Sequence, residues 1–171
     1  ISTDKAVSPI NLYGSTKLTA EKLFISGNTF KGKKRCKFAV VRYGNVMGSR
    51  GSVIPILLKQ NKLNSKFFTI THESMTRFNI TLKEASSLVI NCLKIMKGGE
   101  IFVPKLPSYN IIDLAKAINP KKKIKIIGIR NGEKMHEELI SSSEFSKLKV
   151  NRNLYIIDNK NIKTEGLHDS Y

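Results

Sequence analysis

A tyrosine and a lysine near the start of the sequence are spaced to act together. Tyr13 and Lys17 lie four residues apart, and on a helix this spacing places both side chains on one face. A phenol with a pKa of about 10 is a poor base at neutral pH, but a neighbouring ammonium group stabilises the phenolate. Such a pair can remove a proton from an alcohol while hydride leaves the same carbon. It also fits an ordinary exposed helix face, so the spacing alone leaves both interpretations open.

An acid and an amine, Asp4 and Lys5, stand shortly before this tyrosine. Adjacent opposite charges usually indicate a solvated turn, and that interpretation is open for this pair as well. A turn that leaves a strand after Ser2 and Thr3 would instead bring the acid and the amine over the ligand that Tyr13 faces. The two patterns together therefore favour chemistry more strongly than either does alone.

A glycine loop follows the apolar run 37–43. Its glycines are Gly44, Gly48 and Gly51. A glycine pattern after a strand and before a helix resembles a dinucleotide-binding fingerprint. However, no acidic residue on a second strand follows about 20 residues on, since Glu73 lies in a polar, turn-like stretch. We therefore predict that the loop faces substrate, with Asn45 as a polar contact and the backbone near Ser52 and Val53 approaching a phosphate.

Two isolated arginines, Arg77 and Arg130, stand beside otherwise apolar strands. The planar guanidinium group binds phosphate in a fork, but each arginine fits a structural ion pair equally well. A second set of polar residues could suggest a metal, namely His136, Glu137 and Glu138. The zinc-type HExxH pattern is absent and no other histidine is near in sequence, so we predict no metal site.

The composition is that of one ordinary domain or a piece of a larger one. The chain has 171 residues, is 40% hydrophobic and carries a formal charge of +17. Its lysines are dense only at 31–37 and 119–125, without the interleaved aromatics of single-strand binders, so we predict an anionic small-molecule ligand rather than nucleic acid. The two cysteines, Cys36 and Cys92, indicate reduced thiols. No apolar run approaches the roughly 18 residues of a membrane span, so we expect a soluble, cytoplasmic protein.

Strand and helix patterns alternate along the chain. Helices are predicted over 12–27, from Pro55 to residue 60, over 82–97, 111–118 and 133–140. Gly27 is the expected end of the first, and Thr81 with Glu84 caps the third. Strands are predicted at 37–43, 100–104 and 123–129, with two short strands around a turn within 67–81. After about Ser141 we expect at most one strand. This alternation indicates an α/β fold with a largely parallel sheet.

Five segments taken together resemble a known enzyme family. In chain order they read STDKAVSPINLYGSTK, VVRYGNVMGSRGSVIP, MTRFNIT, GGEIFVPKLPS and IKIIGIRNGEKMHEELI. They are similar to the inverting UDP-N-acetylglucosamine 4,6-dehydratases of the extended short-chain dehydrogenase/reductase superfamily. Those enzymes serve polysaccharide biosynthesis, and some begin the route to pseudaminic acid. The resemblance implies an NADP-dependent hydro-lyase whose product is UDP-2-acetamido-2,6-dideoxy-β-L-arabino-hex-4-ulose.

The resemblance also implies catalytic roles. Tyr13 and Lys17 contact NADP, and Tyr13 removes the proton of the sugar 4-hydroxyl as hydride leaves carbon 4. Lys5, provided that burial and cationic neighbours lower its pKa, removes the proton on carbon 5. Asp4, in its protonated form, donates to the leaving 6-hydroxyl, and Thr3 hydrogen-bonds near the 4-oxygen. Retaining relatives carry Asp-Glu where this sequence has Asp-Lys, so the amine indicates the inverting branch.

Substrate contacts follow from the same resemblance. They are Arg77 and Arg130 on the diphosphate, Glu133 at the uridine end, Asn45 on the sugar side, and Ser52 with Val53 near a phosphate. No residue is expected to bind a metal. The expected ligand is UDP-N-acetylglucosamine, and the complete protein is expected to be a homo-oligomer.

The resemblance further implies a particular domain organisation. Residues 1–52 and 77–104 are expected to form the C-terminal part of a Rossmann-like domain that carries the catalytic helix. Residues 53–76 and 105–171 are expected to form a smaller, incomplete substrate-binding domain. Family members place an NADP-binding half ahead of this region, so the chain alone is expected to be inactive.

Other functions remain open at this point. One is a related dehydratase or epimerase of capsule synthesis. A simple 4-epimerase is disfavoured by Asp4 and Lys5, because it needs no base at carbon 5. A third is a basic binding module without catalysis.

Overall fold

The structure is a computed structural model that describes residues 1–63 and 65–159. Its helices are α1 (Leu12–Phe30), α2 (Val53–Lys62), α3 (Leu82–Ile95) and α4 (Ile111–Ile118). Its strands are β1 (Ser2–Thr3), β2 (Val40–Tyr43), β3 (Asn45–Val46), β4 (Phe67–Ile70), β5 (Thr76–Ile80), β6 (Glu100–Pro104), β7 (Ser108–Asn110), β8 (Lys123–Ile126), β9 (Leu148–Asn151) and β10 (Leu154–Asp158). Two 3-10 helices span Asp4–Ala6 and Ser142–Lys147.

The main sheet has five strands in the order β1-β2-β6-β10-β9. Strands β1, β2 and β6 run parallel, whereas β10 and β9 add antiparallel pairs at one side. All five residues of β6 are buried, as expected for a central strand that is covered on both faces. The predicted α/β class, with parallel strands between helices, is confirmed.

Two smaller sheets build the other side of the chain. Strand β5 pairs with β3 in parallel and with β7 antiparallel, and β4 pairs with β8 in parallel. The strands predicted around a turn within 67–81 are therefore β4 and β5, and they belong to different sheets. A core cluster joins β4 to α2 and α4, with buried members Leu57, Phe68, Ile70, Met75, Ile111 and Ala115.

Helix α1 passes through the glycine that was expected to end it. Gly27 lies inside the helix, which continues to Phe30. A Cβ atom added at Gly27 would come within 3.2 Å of the Phe38 ring, so this glycine lets the chain approach closely. The prediction that Gly27 stops the helix is wrong, because tertiary packing outweighs the modest cost of a glycine inside a helix.

The other predicted helices of the first hundred residues are present with shifted ends. Helix α2 begins at Val53, two residues before Pro55. Helix α3 has the predicted capping box, in which Thr81 accepts from the Glu84 amide and the Glu84 side chain accepts from the Thr81 amide. It ends at Ile95, before the glycine pair at 98–99.

Residues 133–140 do not form the predicted helix. The segment runs beside β5, where His136 forms a parallel bridge with Thr76. The Met135 carbonyl accepts from the Thr76 amide at 3.2 Å and from Arg77 Nη1 at 3.1 Å. These hydrogen bonds to another element replace those that a helix would make within itself, so that prediction is wrong.

The end of the described chain holds two strands where at most one was expected. Strands β9 and β10 form a hairpin around Arg152, whose φ of 42° lies in the left-handed region. Strand β10 pairs with β6 over five residues, which buries Ile157 in the centre of the sheet. Residues 148–158 therefore pack with the sheet that contains β1 and β2. The expected division into two domains stays a prediction, and residues 160–171 lie outside the described part.

A buried ion-pair network ties α1 to the sheet. Arg42 on β2 donates to both carboxylate oxygens of Glu21 on α1, at 3.0 and 2.6 Å, and to both of Glu144 at 3.0 Å. Burial raises the pKa of Glu144, but hydrogen bonds from Arg42 and Ser141 and the charge of Arg42 together outweigh this effect, so its pKa lies below the ordinary value. The helix that carries the tyrosine thus has a fixed position. None of the described helices is long and apolar enough to cross a membrane.

Candidate active site

The first turn of α1 packs directly on the turn that holds the acid and the amine. Asn11 caps the helix, since its Oδ1 accepts from the Gly14 amide at 2.8 Å. Its Nδ2 donates to the Gly132 carbonyl at 2.7 Å. A Cβ atom at Gly14 would collide with the Lys5 carbonyl oxygen and lie 2.9 Å from Pro9 Cβ. A side chain at position 14 would therefore push the two turns apart.

The tyrosine and the lysine share one face of α1. Lys17 Nζ lies 5.7 Å from the centre of the Tyr13 ring, and 54% of Tyr13 is exposed. An ammonium group in this position can stabilise a phenolate. About half of Tyr13 is thus accessible to a ligand.

The acid of the Asp4–Lys5 pair is buried, so the pair is not a solvated turn. Asp4 has no exposed surface, and its Oδ1 accepts from Thr3 Oγ1 at 2.7 Å and from Lys5 Nζ at 3.1 Å. Its Oδ2 has no hydrogen-bond partner within the described residues. The 3-10 helix that holds the pair follows β1 directly, at the carboxyl end of a parallel strand. Ligand sites of α/β sheets form at such ends.

A second carboxylate contacts the same amine, and the sequence analysis did not assign it to this site. Glu137 Oε1 lies 3.2 Å from Lys5 Nζ, and only 4% of the Glu137 side chain is exposed. Glu137 belongs to the segment that was predicted to be helical, and it was considered there only as a metal ligand. No local pattern places it near Lys5, because the contact depends on where residues 133–140 run along β5.

The surroundings of Lys5 are anionic rather than cationic. Burial lowers the pKa of its ammonium group, but the charges of Asp4 and Glu137 and their hydrogen bonds outweigh burial, so the pKa is raised. The expectation that burial and cationic neighbours lower this pKa is therefore wrong for the unliganded site. Lys5 is an ammonium group at neutral pH, and it can act as a base only after it gives a proton to a neighbour.

A cleft of about 390 Å³ opens beside this cluster. Its volume is in the range of small-molecule sites. It is lined by most residues that the sequence analysis singled out for ligand binding: Lys5, Asn45, Ser52, Val53, Arg77, Arg130 and Glu133. Apolar side chains of α2 and α4 complete the wall. Thr3, Asp4, Tyr13 and Lys17 lie outside the set of lining residues.

The two arginines of the cleft differ in how they are held. Arg77 is largely buried, and it donates to the Thr76 carbonyl at 2.7 Å and to Glu133 Oε1 at 3.3 Å. The structural ion pair left open for Arg77 is thus present in a residue that also lines the cleft. Arg130 is exposed, and its amide donates to Glu133 Oε2 at 3.4 Å. Glu133 therefore links the two arginines, and the guanidinium group of Arg130 faces solvent, accessible to an anion.

The glycine loop forms another part of the cleft wall. Gly48 and Gly51 both have φ of 77°, a left-handed conformation that glycine adopts without strain. The loop ends at Ser52, which precedes α2, and Gly51, Ser52 and Val53 line the cleft. The loop lies beside the cleft, and its contact with substrate stays a prediction.

The residues considered for a metal have other partners. His136 Nδ1 hydrogen-bonds to Thr76 Oγ1 at 2.8 Å, and Glu137 pairs with Lys5. Across residues 1–63 and 65–159, no group of three or more histidine, cysteine or acidic side chains could hold a metal ion.

Comparison with known proteins links this geometry to a family. The profile of the family described as "polysaccharide biosynthesis protein" matches residues 1–159. The chain is 51% identical over 144 residues to UDP-N-acetylglucosamine 4,6-dehydratase (inverting) from Campylobacter jejuni, which covers 84% of this chain and 43% of that protein. It is 47% identical over 161 residues to UDP-glucose 4-epimerase from Rickettsia bellii, with 92% and 47% covered. The chain thus spans about half the length of the curated relatives it matches.

Solved structures are also similar to this chain. The X-ray structure of Pen from Bacillus thuringiensis superposes with a TM-score of 0.86 at 43% identity, over 92% of this chain and 51% of that one. dTDP-glucose 4,6-dehydratase from Bacillus anthracis in complex with NAD superposes with a TM-score of 0.66 at 15% identity, over 83% and 52%. The second likeness establishes a shared fold, in which this chain corresponds to about half of a Rossmann-type enzyme.

Proposed function

This chain belongs to the family of polysaccharide biosynthesis proteins, and on this premise we propose that the complete protein is a UDP-N-acetylglucosamine 4,6-dehydratase that inverts carbon 5. The observation that carries the proposal is the contact between Asp4 and Lys5, an acid and an amine 3.1 Å apart, where Lys5 lines a nucleotide-sized cleft. Elimination of water across carbons 5 and 6 needs both a base and an acid on the same substrate. The similarity to the Campylobacter jejuni enzyme supports the same activity.

The oxidation at carbon 4 is assigned to Tyr13 and Lys17. A nicotinamide cofactor, which we take to be NADP, supplies and accepts hydride when it is bound. The half-exposed Tyr13 ring with Lys17 Nζ 5.7 Å from its centre fits such a group. Tyr13 takes the proton of the 4-hydroxyl, and Lys17 stabilises the phenolate that does so. Thr3 donates to Asp4 in the unliganded site, and we assign its hydroxyl a further contact near the 4-oxygen.

The elimination is assigned to Lys5 and Asp4. Moving one proton from Lys5 to Asp4 across their 3.1 Å contact converts an ammonium–carboxylate pair into an amine–acid pair. The amine then takes the proton on carbon 5, and the acid gives its proton to the 6-hydroxyl, which leaves as water. This step restores the ammonium and the carboxylate, so the pair ends with the same number of protons as it had at the start. The bound cofactor would supply hydride to carbon 6, and a proton from solvent would reach carbon 5 on the face opposite Lys5, which would complete the inverting reaction.

The cleft residues are assigned to the UDP part of the substrate. Arg77 and Arg130 bind the diphosphate, and Glu133 binds at the uridine end. Asn45 contacts the sugar, and the backbone at 52–53 approaches a phosphate. The complete protein is taken to act as a cytoplasmic homo-oligomer that makes UDP-2-acetamido-2,6-dideoxy-β-L-arabino-hex-4-ulose for a route such as that to pseudaminic acid. The chain of 171 residues is taken to be inactive alone.

A second candidate activity is 4-epimerisation, which the similarity to the Rickettsia bellii epimerase favours. Epimerisation at carbon 4 needs hydride transfer and the tyrosine, but no base at carbon 5. The buried pair of Asp4 and Lys5 beside the cleft would then have no catalytic task.

One experiment separates these activities. The complete protein is incubated with UDP-N-acetylglucosamine in heavy water and followed by proton NMR. A dehydratase gives a 4-keto-6-deoxy product with deuterium at carbon 5 and inverted configuration. Retained configuration would contradict the role of Lys5, and a 4-epimer without deuterium at carbon 5 would establish the epimerase. A folded, cofactor-bound protein without turnover would favour a binding module.

A further inference from the structure

We propose that Glu137 is a positioning residue that holds the Lys5 amine at the cleft and sets the pH range in which this amine acts as a base. The inference rests on the proposed dehydratase function, in which Lys5 takes the proton from carbon 5. It concerns a carboxylate that the mechanism above does not use.

The geometry of Glu137 is that of a rigid support. Its Oε1 lies 3.2 Å from Lys5 Nζ, and its side chain is 4% exposed although it lines the cleft. The backbone on both sides is held in place. His136 is bridged to Thr76 on β5, and Leu139 is buried in the core beside β6 and β10. The anchored backbone and the burial of the side chain limit how far the carboxylate can move from the amine.

Asp4, Lys5 and Glu137 form a charged cluster in which the two carboxylates have different roles. Lys5 carries one positive charge between Asp4 and Glu137, so the ionised cluster has a net charge of −1. Asp4 Oδ2 and Glu137 Oε2 are both buried and have no hydrogen-bond partner among the described residues. When Asp4 accepts the proton of Lys5, their charge attraction disappears. Glu137 then remains as an anionic acceptor that keeps the amine in place for the proton on carbon 5.

The other charged groups around the cluster are farther away. Within the described residues, only Asp4 and Glu137 lie within ion-pair distance of Lys5. The remaining charged side chains of the cleft come from β5 and the segment after β8: Arg77, Arg130, Glu133 and Lys134. Lys134 Nζ donates to the Val7 carbonyl. On β7, burial raises the pKa of Tyr109. The charge of Arg77 lowers this pKa, and the charge of Asp4 raises it.

These contacts make a directional prediction for the amine. Burial favours neutral Lys5, and the two carboxylates oppose burial strongly enough to raise its pKa. Removing the charge of Glu137 leaves burial opposed by Asp4 alone, so the pKa of Lys5 must fall. The Lys5–Asp4 pair works only while it holds the proton that Asp4 donates, so a lower pKa of Lys5 moves the loss of activity at high pH to lower pH.

The first test compares Glu137→Gln with Glu138→Gln in the complete protein. Both changes remove one negative charge with little change of shape, and Glu138 is exposed one residue away. In Glu137→Gln, the falling limb of kcat/KM at high pH, where the Lys5–Asp4 pair loses the proton that Asp4 must donate, should move to lower pH by about one unit, an effect typical of removing one nearby opposite charge. Glu138→Gln should leave the limb in place. An unmoved limb in Glu137→Gln overturns the proposal.

A shorter acid separates position from charge. Glu137→Asp keeps the negative charge but withdraws it from Lys5. Its pH limb should lie nearer to that of the wild type than the limb of Glu137→Gln, while kcat falls by about 10- to 100-fold through misplacement of the amine. If Glu137→Asp and Glu137→Gln have the same pH limb, the charge of residue 137 does not set the pH range.

A second measurement does not depend on turnover. Lys5 in the complete protein is acetylated with acetic anhydride over a range of pH, and the extent of its modification is read by mass spectrometry. Since only the neutral amine reacts, the midpoint reports the pKa of Lys5. The midpoint should fall in Glu137→Gln and stay unchanged in Glu138→Gln. An unchanged midpoint in Glu137→Gln overturns the inference even if the enzyme is active, whereas absent turnover with a shifted midpoint overturns only the proposed function.

Discussion

The protonation state of Lys5 depends on the two buried carboxylates beside it, Asp4 and Glu137, more than on the intrinsic basicity of an amine. In the unliganded site these carboxylates raise the pKa of Lys5, so the resting group is an ammonium. The same contacts give the proton a short route to Asp4, 3.1 Å away. An anionic cluster can therefore still provide a base, provided that the proton moves within the cluster and does not have to leave it.

At this residue scale, substitutions of Lys5 and Tyr13 should stop the reaction at different points. Tyr13→Phe removes the base for the 4-hydroxyl, so neither reduced cofactor nor deuterated sugar should form. Lys5→Ala leaves oxidation at carbon 4 in place, so reduced cofactor should accumulate while incorporation of deuterium at carbon 5 falls by about 100-fold or more. Absorbance of the reduced cofactor and proton NMR measure the two steps.

A matched control for these variants lies on the same helix. Lys22 is exposed on α1 and lies outside the cleft, so Lys22→Ala should leave both steps unchanged. If Lys5→Ala also prevents formation of reduced cofactor, the division of labour between Tyr13 and Lys5 is wrong.

At the scale of elements, α1 is positioned at three places along its length. Asn11 caps its first turn and also binds the loop at Gly132. Glu21 is held by Arg42 on β2. Gly27 allows the ring of Phe38 to approach the last turns. The helix thus carries Tyr13 to a defined place relative to Lys5 because contacts with other elements, and not its own propensity, determine where it lies.

A change of glycine to alanine at either of two positions in α1 tests this account. Gly14→Ala adds a Cβ atom against the Lys5 carbonyl and Pro9, and should destabilise the protein by about 1–3 kcal/mol through overpacking. Gly27→Ala adds a Cβ atom 3.2 Å from an aromatic ring that can shift. Its gain in helix propensity of about 0.5–1 kcal/mol should offset that contact. Urea unfolding measures both, and equal changes in the free energy of unfolding would contradict the difference in packing.

At the scale of the whole molecule, the large positive charge is spread over surface lysines as well as over the charged residues that line the cleft. The formal charge is +17, and the dense lysine run at 31–37 lies apart from the cleft. The cleft itself combines Arg77, Arg130 and Lys5 with two glutamates. Its affinity for a diphosphate should therefore depend on particular arginines rather than on the total charge.

Calorimetric titration of the complete protein with UDP tests this distinction. Arg130→Gln should weaken UDP binding by about 10- to 100-fold, because an exposed guanidinium is lost from the cleft. The double change Lys33→Gln and Lys34→Gln, in the exposed run, should leave UDP affinity within about twofold at fixed salt. If the double lysine change weakens binding as much as Arg130→Gln, and heparin displaces UDP, the protein is a general polyanion binder.

Local features of the sequence determined a large part of this protein. The capping box of Thr81 and Glu84, the buried strand at 100–104 and the helix that carries Tyr13 and Lys17 all follow from residues close together in the chain. The adjacent Asp4 and Lys5, read with the other motifs, were enough to indicate the enzyme family. Such patterns can be read directly because neighbouring residues determine them.

Tertiary structure alone decided the rest, because those features depend on contacts between distant residues. Residues 133–140 have a helical pattern, but hydrogen bonds between Met135 and β5 and the bridge at His136 take the place of a helix. That path brings Glu137 to Lys5 and reverses the expected direction of the pKa shift. Strand β10 likewise forms where β6 offers it a full set of partners. Backbone groups and charges bind whichever partner the fold presents, and a single sequence does not show which distant partner that is.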